Sequence, residues 1–145
     1  MRVRRIVLAV AGVLVPAAAS AGCTVSAEGI AFGTVTVDRL NFARGHVRVS
    51  CDTEADVRIS ISPGSSGDYA WRHMVGPRGV RLLYQIFTNQ QTYDIWGDGA
   101  GGTATVGGRV AAGEEREFPM HGFLPAQPGV PEGDYTDSLT VTLEF

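Results

Sequence analysis

The sequence predicts an all-β chain, an antiparallel β-sandwich, from three observations. Short segments alternate apolar and polar residues, the 19 glycines and 7 prolines fall mostly between those segments, and no helical stripe runs between caps. The clearest alternation is the last one. Asp134-Tyr135-Thr136-Asp137-Ser138-Leu139-Thr140-Val141-Thr142-Leu143-Glu144-Phe145 puts Leu139, Val141, Leu143 and Phe145 on one face and Thr140, Thr142 and Glu144 on the other. The apolar face is expected to be buried. A strand of this kind at a sheet edge must be blunted by charge, proline or cover, or else it accepts a strand from another chain.

At the other end, Met1-Arg2-Val3-Arg4-Arg5 is followed by Ile6 to Val15, apolar apart from one glycine, then by Pro16 and the small residues Ala19-Ser20-Ala21. This order reads as a secretory signal over residues 1–21, cleaved after Ala21, because the apolar run is far shorter than the roughly 20 residues a membrane-spanning helix needs. Cys23 raises a lipoprotein reading, but Ser20 stands three residues before it, where a lipobox normally has Leu. Residues 22–145 then form one domain with a single core and no transmembrane segment. The formal net charge is −3, there is no lysine, and loss of Arg2, Arg4 and Arg5 makes the remainder more acidic. Such a surface repels phosphate backbones, which argues against nucleic-acid binding. The two cysteines, Cys23 and Cys51, have one intramolecular pairing, and in an oxidising compartment they are expected to form a disulfide.

Between these ends the strand signals run in order. Cys23 to Ala27 and Ile30 to Val37 are short apolar or β-branched pieces; His46 to Cys51 and Val57 to Ile61 alternate, the latter ended by Pro63-Gly64-Ser65-Ser66-Gly67. Val80 to Phe87 is apolar on both faces, as in the middle of a packed sandwich, and Thr103 to Val106 and Glu117 to Leu124 precede the final strand. Glu114-Glu115-Arg116-Glu117 reads as a solvated connection, and His121 before Gly122 as a bend.

No constellation supports catalysis, a cofactor or a metal. Gly97-Asp98-Gly99-Ala100-Gly101-Gly102 matches G-x-G-x-x-G, but a β-like stretch follows where dinucleotide binding demands a helix. Gly64-Ser65-Ser66-Gly67 is one residue short of a nucleophile elbow. His46, His73 and His121 are scattered without zinc spacing, and Asp94 and Asp98 lack the rest of a calcium loop, so a turn role is expected of them.

Several segments in order resemble the spore coat protein U domain family, which includes subunits of archaic chaperone-usher pili. They are Cys23-Thr24-Val25-Ser26-Ala27, Ala31-Phe32-Gly33, Val47-Arg48-Val49-Ser50-Cys51, Ile59-Ser60-Ile61-Ser62-Pro63-Gly64, Arg72-His73-Met74, Leu83-Tyr84-Gln85-Ile86-Phe87, Trp96-Gly97-Asp98-Gly99 and Gly133 to Leu143. His121-Gly122-Phe123 departs from the family's usual Gly followed by Arg. The resemblance implies an incomplete immunoglobulin-like β-sandwich that lacks its last strand, completed by a donor strand from a partner. A periplasmic chaperone would lend that strand, an outer-membrane usher would assemble the fibre, and a neighbouring subunit's N-terminal segment would replace the lent strand. Leu139, Val141, Leu143 and Phe145 would then bind the partner strand.

Pilus subunits of this kind carry about fifteen β-alternating residues before the first cysteine, the span of a long strand. Here Gly22 alone precedes Cys23 after the expected cleavage, so the expected place is a fibre end or a secreted spore-coat-like layer. The alternative is a secreted monomeric β-sandwich module, for example for carbohydrate, with Tyr69, Trp71, Tyr93 and Trp96 as stacking faces.

Overall fold

The computed structural model describes residues 2–14 by their backbone and residues 22–145 in full. Ten strands account for nearly all regular structure: β1 Arg2–Leu14, β2 Cys23–Glu28, β3 Ala31–Thr36, β4 Asn41–Cys51, β5 Ala55–Ile61, β6 Arg72–Val75, β7 Arg81–Phe87, β8 Val106–Val110, β9 Glu114–Leu124 and β10 Asp134–Glu144. Two single 3-10 turns, Gly64–Ser66 and Pro77–Gly79, are the only helical pieces among the described residues. None of the described helices is long and apolar enough to cross a membrane.

One layer of the sandwich is β2-β4-β9-β7, antiparallel throughout. The other contains β8-β5-β10-β1-β3, with β6 touching β10 at Thr136–Val75. Strand β7 joins the layers, since Arg81–Tyr84 pair with β6 and Gln85–Phe87 with β9. This joint explains why Val80 to Phe87 reads as apolar on both faces: Leu82, Tyr84, Gln85 and Ile86 are all buried.

Between the layers lie Val47 and Val49 of β4, Ile59 and Ile61 of β5, Met74, Tyr84, Trp96, Phe118 and Met120, each between 0% and 3% exposed. The alternation predicted for β4, β5 and β10 is therefore the in–out alternation of two packed sheets. Cys23 and Cys51 sit opposite each other in the β2–β4 ladder and are joined, with an S–S distance of 2.07 Å and Cα atoms 4.1 Å apart.

Three local expectations are corrected. Strand β8 begins at Val106, where the sequence reading ended it, because Gly107 and Gly108 look like a turn yet pair with Arg58 and Val57. The close approach requires the glycine, since a Cβ at 107 would strike the Val57 carbonyl oxygen. Glu114–Glu117 belong to β9, not to a connection: Glu117 accepts from Arg48 Nε at 3.2 Å across the ladder, so charge pairing on an exposed face masks the strand. His121 and Gly122 likewise lie within β9.

Candidate functional site

Strand β10 is flanked on one side by β5, from Val141–Ile61 to Glu144–Arg58. On its other side, Asp134 to Leu143 pair with Arg5 to Leu14 of β1, the one parallel ladder among the described strand pairs. The far side of β1 pairs antiparallel with β3, at Arg2–Thr36, Val3–Val35, Ile6–Gly33 and Val7–Ala31. So β3 and β10 stand one strand apart, and the strand between them is the segment that the sequence reads as a signal. The β10 edge expected to lie uncovered is covered by the chain's own Arg2–Leu14. A short apolar run rich in Val, Ile and Leu fits a buried strand as readily as a signal core, and periodicity alone does not separate the two. The expected cleavage site, Ala19-Ser20-Ala21, lies outside the described residues.

The floor of this slot is the inward stripe of β10. Leu139, Val141 and Leu143 are at most 1% exposed, and Phe145 packs half-buried against the same core. The structure thus brings the four sequence-predicted residues into one stripe. On the β3 side, Phe32 and Val37 are buried, as is Ile30 just before the strand. Gly33, opposite Ile6 where the β1–β3 register shifts, has φ 72°, a left-handed conformation that glycine adopts without strain.

The sequence reading passed over one residue of the stripe, Asp137. It is 3% exposed, two positions from Leu139 and therefore on the apolar face. Its Oδ2 accepts from the Tyr84 hydroxyl at 2.5 Å, and its Oδ1 accepts from Ser65 N at 2.9 Å and Ser65 Oγ at 2.6 Å. The carboxylate therefore fastens the Gly64–Ser66 turn and β7 to β10. Burial, then the hydrogen bond to Asp137, pushes the Tyr84 phenol far above its ordinary range.

Nearby Arg72 is fully buried, and burial pulls its guanidinium below the usual value. It donates to Gln85 Oε1 at 2.7 Å, to the Trp96 carbonyl at 2.6 Å and to the Ser62 carbonyl at 2.9 Å, stitching β6, β7 and the end of β5 together. The signal that could have found Asp137 is its parity: an acid at an inward position of a period-two pattern needs partners.

The remaining candidates are dispersed. Trp96 is buried and donates its indole N–H to the Ile59 carbonyl at 3.0 Å, so it presents no stacking face to a sugar. Tyr69 donates to the Ile61 carbonyl at 3.0 Å, while Trp71 and Tyr93 are exposed. His46 lies 3.1 Å from Glu28 but off hydrogen-bond alignment, His73 is on β6, and His121 is on β9 opposite Arg44. Asp98 accepts from Ala100 N at 2.9 Å, as a turn aspartate does, and a β-bridge from Ala104 to Trp96 follows the glycine loop instead of a helix.

These features define a disulfide-clamped immunoglobulin-like β-sandwich with a strand-wide slot between β3 and β10. The chain belongs to the Spore Coat Protein U domain family, whose model matches residues 9–142. No curated protein matches it. Among solved structures it is similar to a chain of the CsuC-CsuE chaperone–tip adhesion subunit pre-assembly complex, from the archaic chaperone-usher Csu pili of Acinetobacter baumannii. The TM-score is 0.63 at 20% identity, over 86% of this chain and 40% of that one. That likeness is one of fold, and the chain spans well under half the length of the neighbour.

Proposed function

We propose that this protein is a non-catalytic structural subunit of a surface fibre or coat, and that its sandwich accepts a partner strand along the edge of β10. The observation that carries this reading is the slot itself. Strand β10 and strand β3 meet only through an intervening strand, above a stripe of Leu139, Val141, Leu143 and Phe145. A partner strand would gain affinity from the main-chain groups of β10 and β3 and selectivity from alternate apolar side chains. Family membership and the pilus-subunit complex found as a fold neighbour support a periplasmic chaperone, an outer-membrane usher and fellow subunits as partners. The protein would be exported, held in the periplasm, and carried to the cell surface.

With cleavage after Ala21, Gly22 alone stands before Cys23, too short a span to donate a strand. The position this gives the subunit is a fibre end, or a coat that does not grow by strand exchange.

Production of the exported protein with and without a candidate chaperone tests the reading. The account expects aggregation alone and recovery as a one-to-one complex with chaperone; a stable, soluble monomer in its absence contradicts it.

A further inference from the structure

The occupant of the slot carries an inference that rests on the acceptor reading. We infer that the chain's own Arg2–Leu14 is a complementing strand, so that the uncleaved protein is a closed form whose acceptor edge opens only when this segment leaves. Ten consecutive residues, Arg5 to Leu14, pair with Asp134 to Leu143 without a register shift. Residues level in a parallel ladder share a face. Ile6, Leu8, Val10 and Leu14 are therefore level with the buried Tyr135, Asp137, Leu139 and Leu143, and the small Gly12 is level with Val141.

Ala9 and Ala11 are level with Ser138 and Thr140, which lie on the opposite face of β10. Large apolar residues thus fall on the core-side register positions, with one exception, whereas the outer positions hold the small Ala9 and Ala11 between Val7 and Val13, which are level with Thr136 and Thr142. Charge agrees with this seating. Arg5 is level with Asp134, close in sequence to Glu132, so the basic start of the segment meets the acidic start of β10. On the second side, four pairs to β3 make the segment an interior strand instead of an appended edge. The chemistry of the slot is therefore stated by its occupant: a parallel strand with large apolar residues at every second position and a small residue opposite Val141.

Parity gives the test. The full 1–145 chain is produced without export in an oxidising cytoplasm, so that residues 1–21 are retained. Amide exchange is measured together with Tm for the unaltered chain, for the Leu8→Asp/Val10→Asp variant and for the Ala9→Asp/Ala11→Asp variant. The unaltered chain should protect the amides of Ile6 to Leu14 along with those of β10 and show NOEs joining Leu14 to Leu143. The core-side variant should lose that protection and melt on the order of 10 °C lower, whereas the outer-side variant should keep both. Equal behaviour of the two variants, or free exchange of Ile6 to Leu14 in the unaltered chain, overturns self-complementation. So do contacts joining Ile6 to Leu143. If residues 2–14 exchange freely while the chain still captures a chaperone at β10, self-complementation fails alone and the acceptor reading survives.

Discussion

Asp137 is the residue on which the final strand turns. Its carboxylate is buried on an otherwise apolar stripe and is satisfied by the Tyr84 hydroxyl and by both Ser65 donors. Asp137→Ala leaves those donors unpaired in the interior, which should cost about 2–4 kcal/mol of unfolding free energy, and Asp137→Asn should cost less. Urea denaturation of the three proteins checks the order.

Tyr84 adds a pH dependence with a definite sign. Its folded pKa is raised above the unfolded value of about 10, so the folded state keeps a proton that the unfolded chain gives up. Stability from this source is complete below about pH 10 and is lost as pH rises beyond it. Tyr69 and Tyr135 are shifted the same way by burial. Denaturation at pH 8 and pH 11 should show the fall, and Tyr84→Phe should make it shallower; an unchanged slope in that variant contradicts the assignment.

At the scale of elements, the strands that could be read were those whose two faces differ. In β10, β4 and β5 the alternation of residue types matches the alternation of burial. The strands that escaped have no such contrast. Gly107 and Gly108 carry no side chain to alternate, Glu114 to Glu117 are exposed on both sides, and β6 is only four residues long. Strand β1 was hidden for a different reason, since its composition fits an export signal equally well. The pairing of Cys23 with Cys51 was legible from cysteine count and compartment alone. It closes a loop of sequence separation 28 across the β2–β4 ladder. Reduction, or Cys51→Ser, should lower stability by about 3.5 kcal/mol on the chain-entropy account. Denaturation with and without reductant measures that loss, and no shift would mean the ladder holds without the clamp.

At the scale of the whole molecule, the sandwich is organised around one slot. The stripe formed by Leu139, Val141, Leu143 and Phe145 was visible in the sequence because strand parity marks a face. That the slot lies between β3 and β10, and that Asp137 anchors its floor, depends on long-range pairing that no local pattern encodes. The proposed place in an assembly follows from the single residue, Gly22, left before Cys23 by the expected cleavage, and immunogold labelling should find this subunit at fibre ends or absent from fibres. Regular decoration along shafts would contradict that placement.

The most direct measurement compares Val141→Glu with Thr142→Glu, adjacent positions of β10 on opposite faces, for the amount of subunit that reaches the cell surface. A charge at 141 enters the core stripe that the proposed partner strand would cover, whereas a charge at 142 lies on the other face. The account predicts loss of chaperone capture and surface assembly for Val141→Glu and near-normal assembly for Thr142→Glu. Circular dichroism of the uncleaved 1–145 chain, in which β1 fills the slot beside β10, reports whether each variant still folds. A folded Val141→Glu protein that assembles at the level of the unaltered chain would contradict strand acceptance at β10.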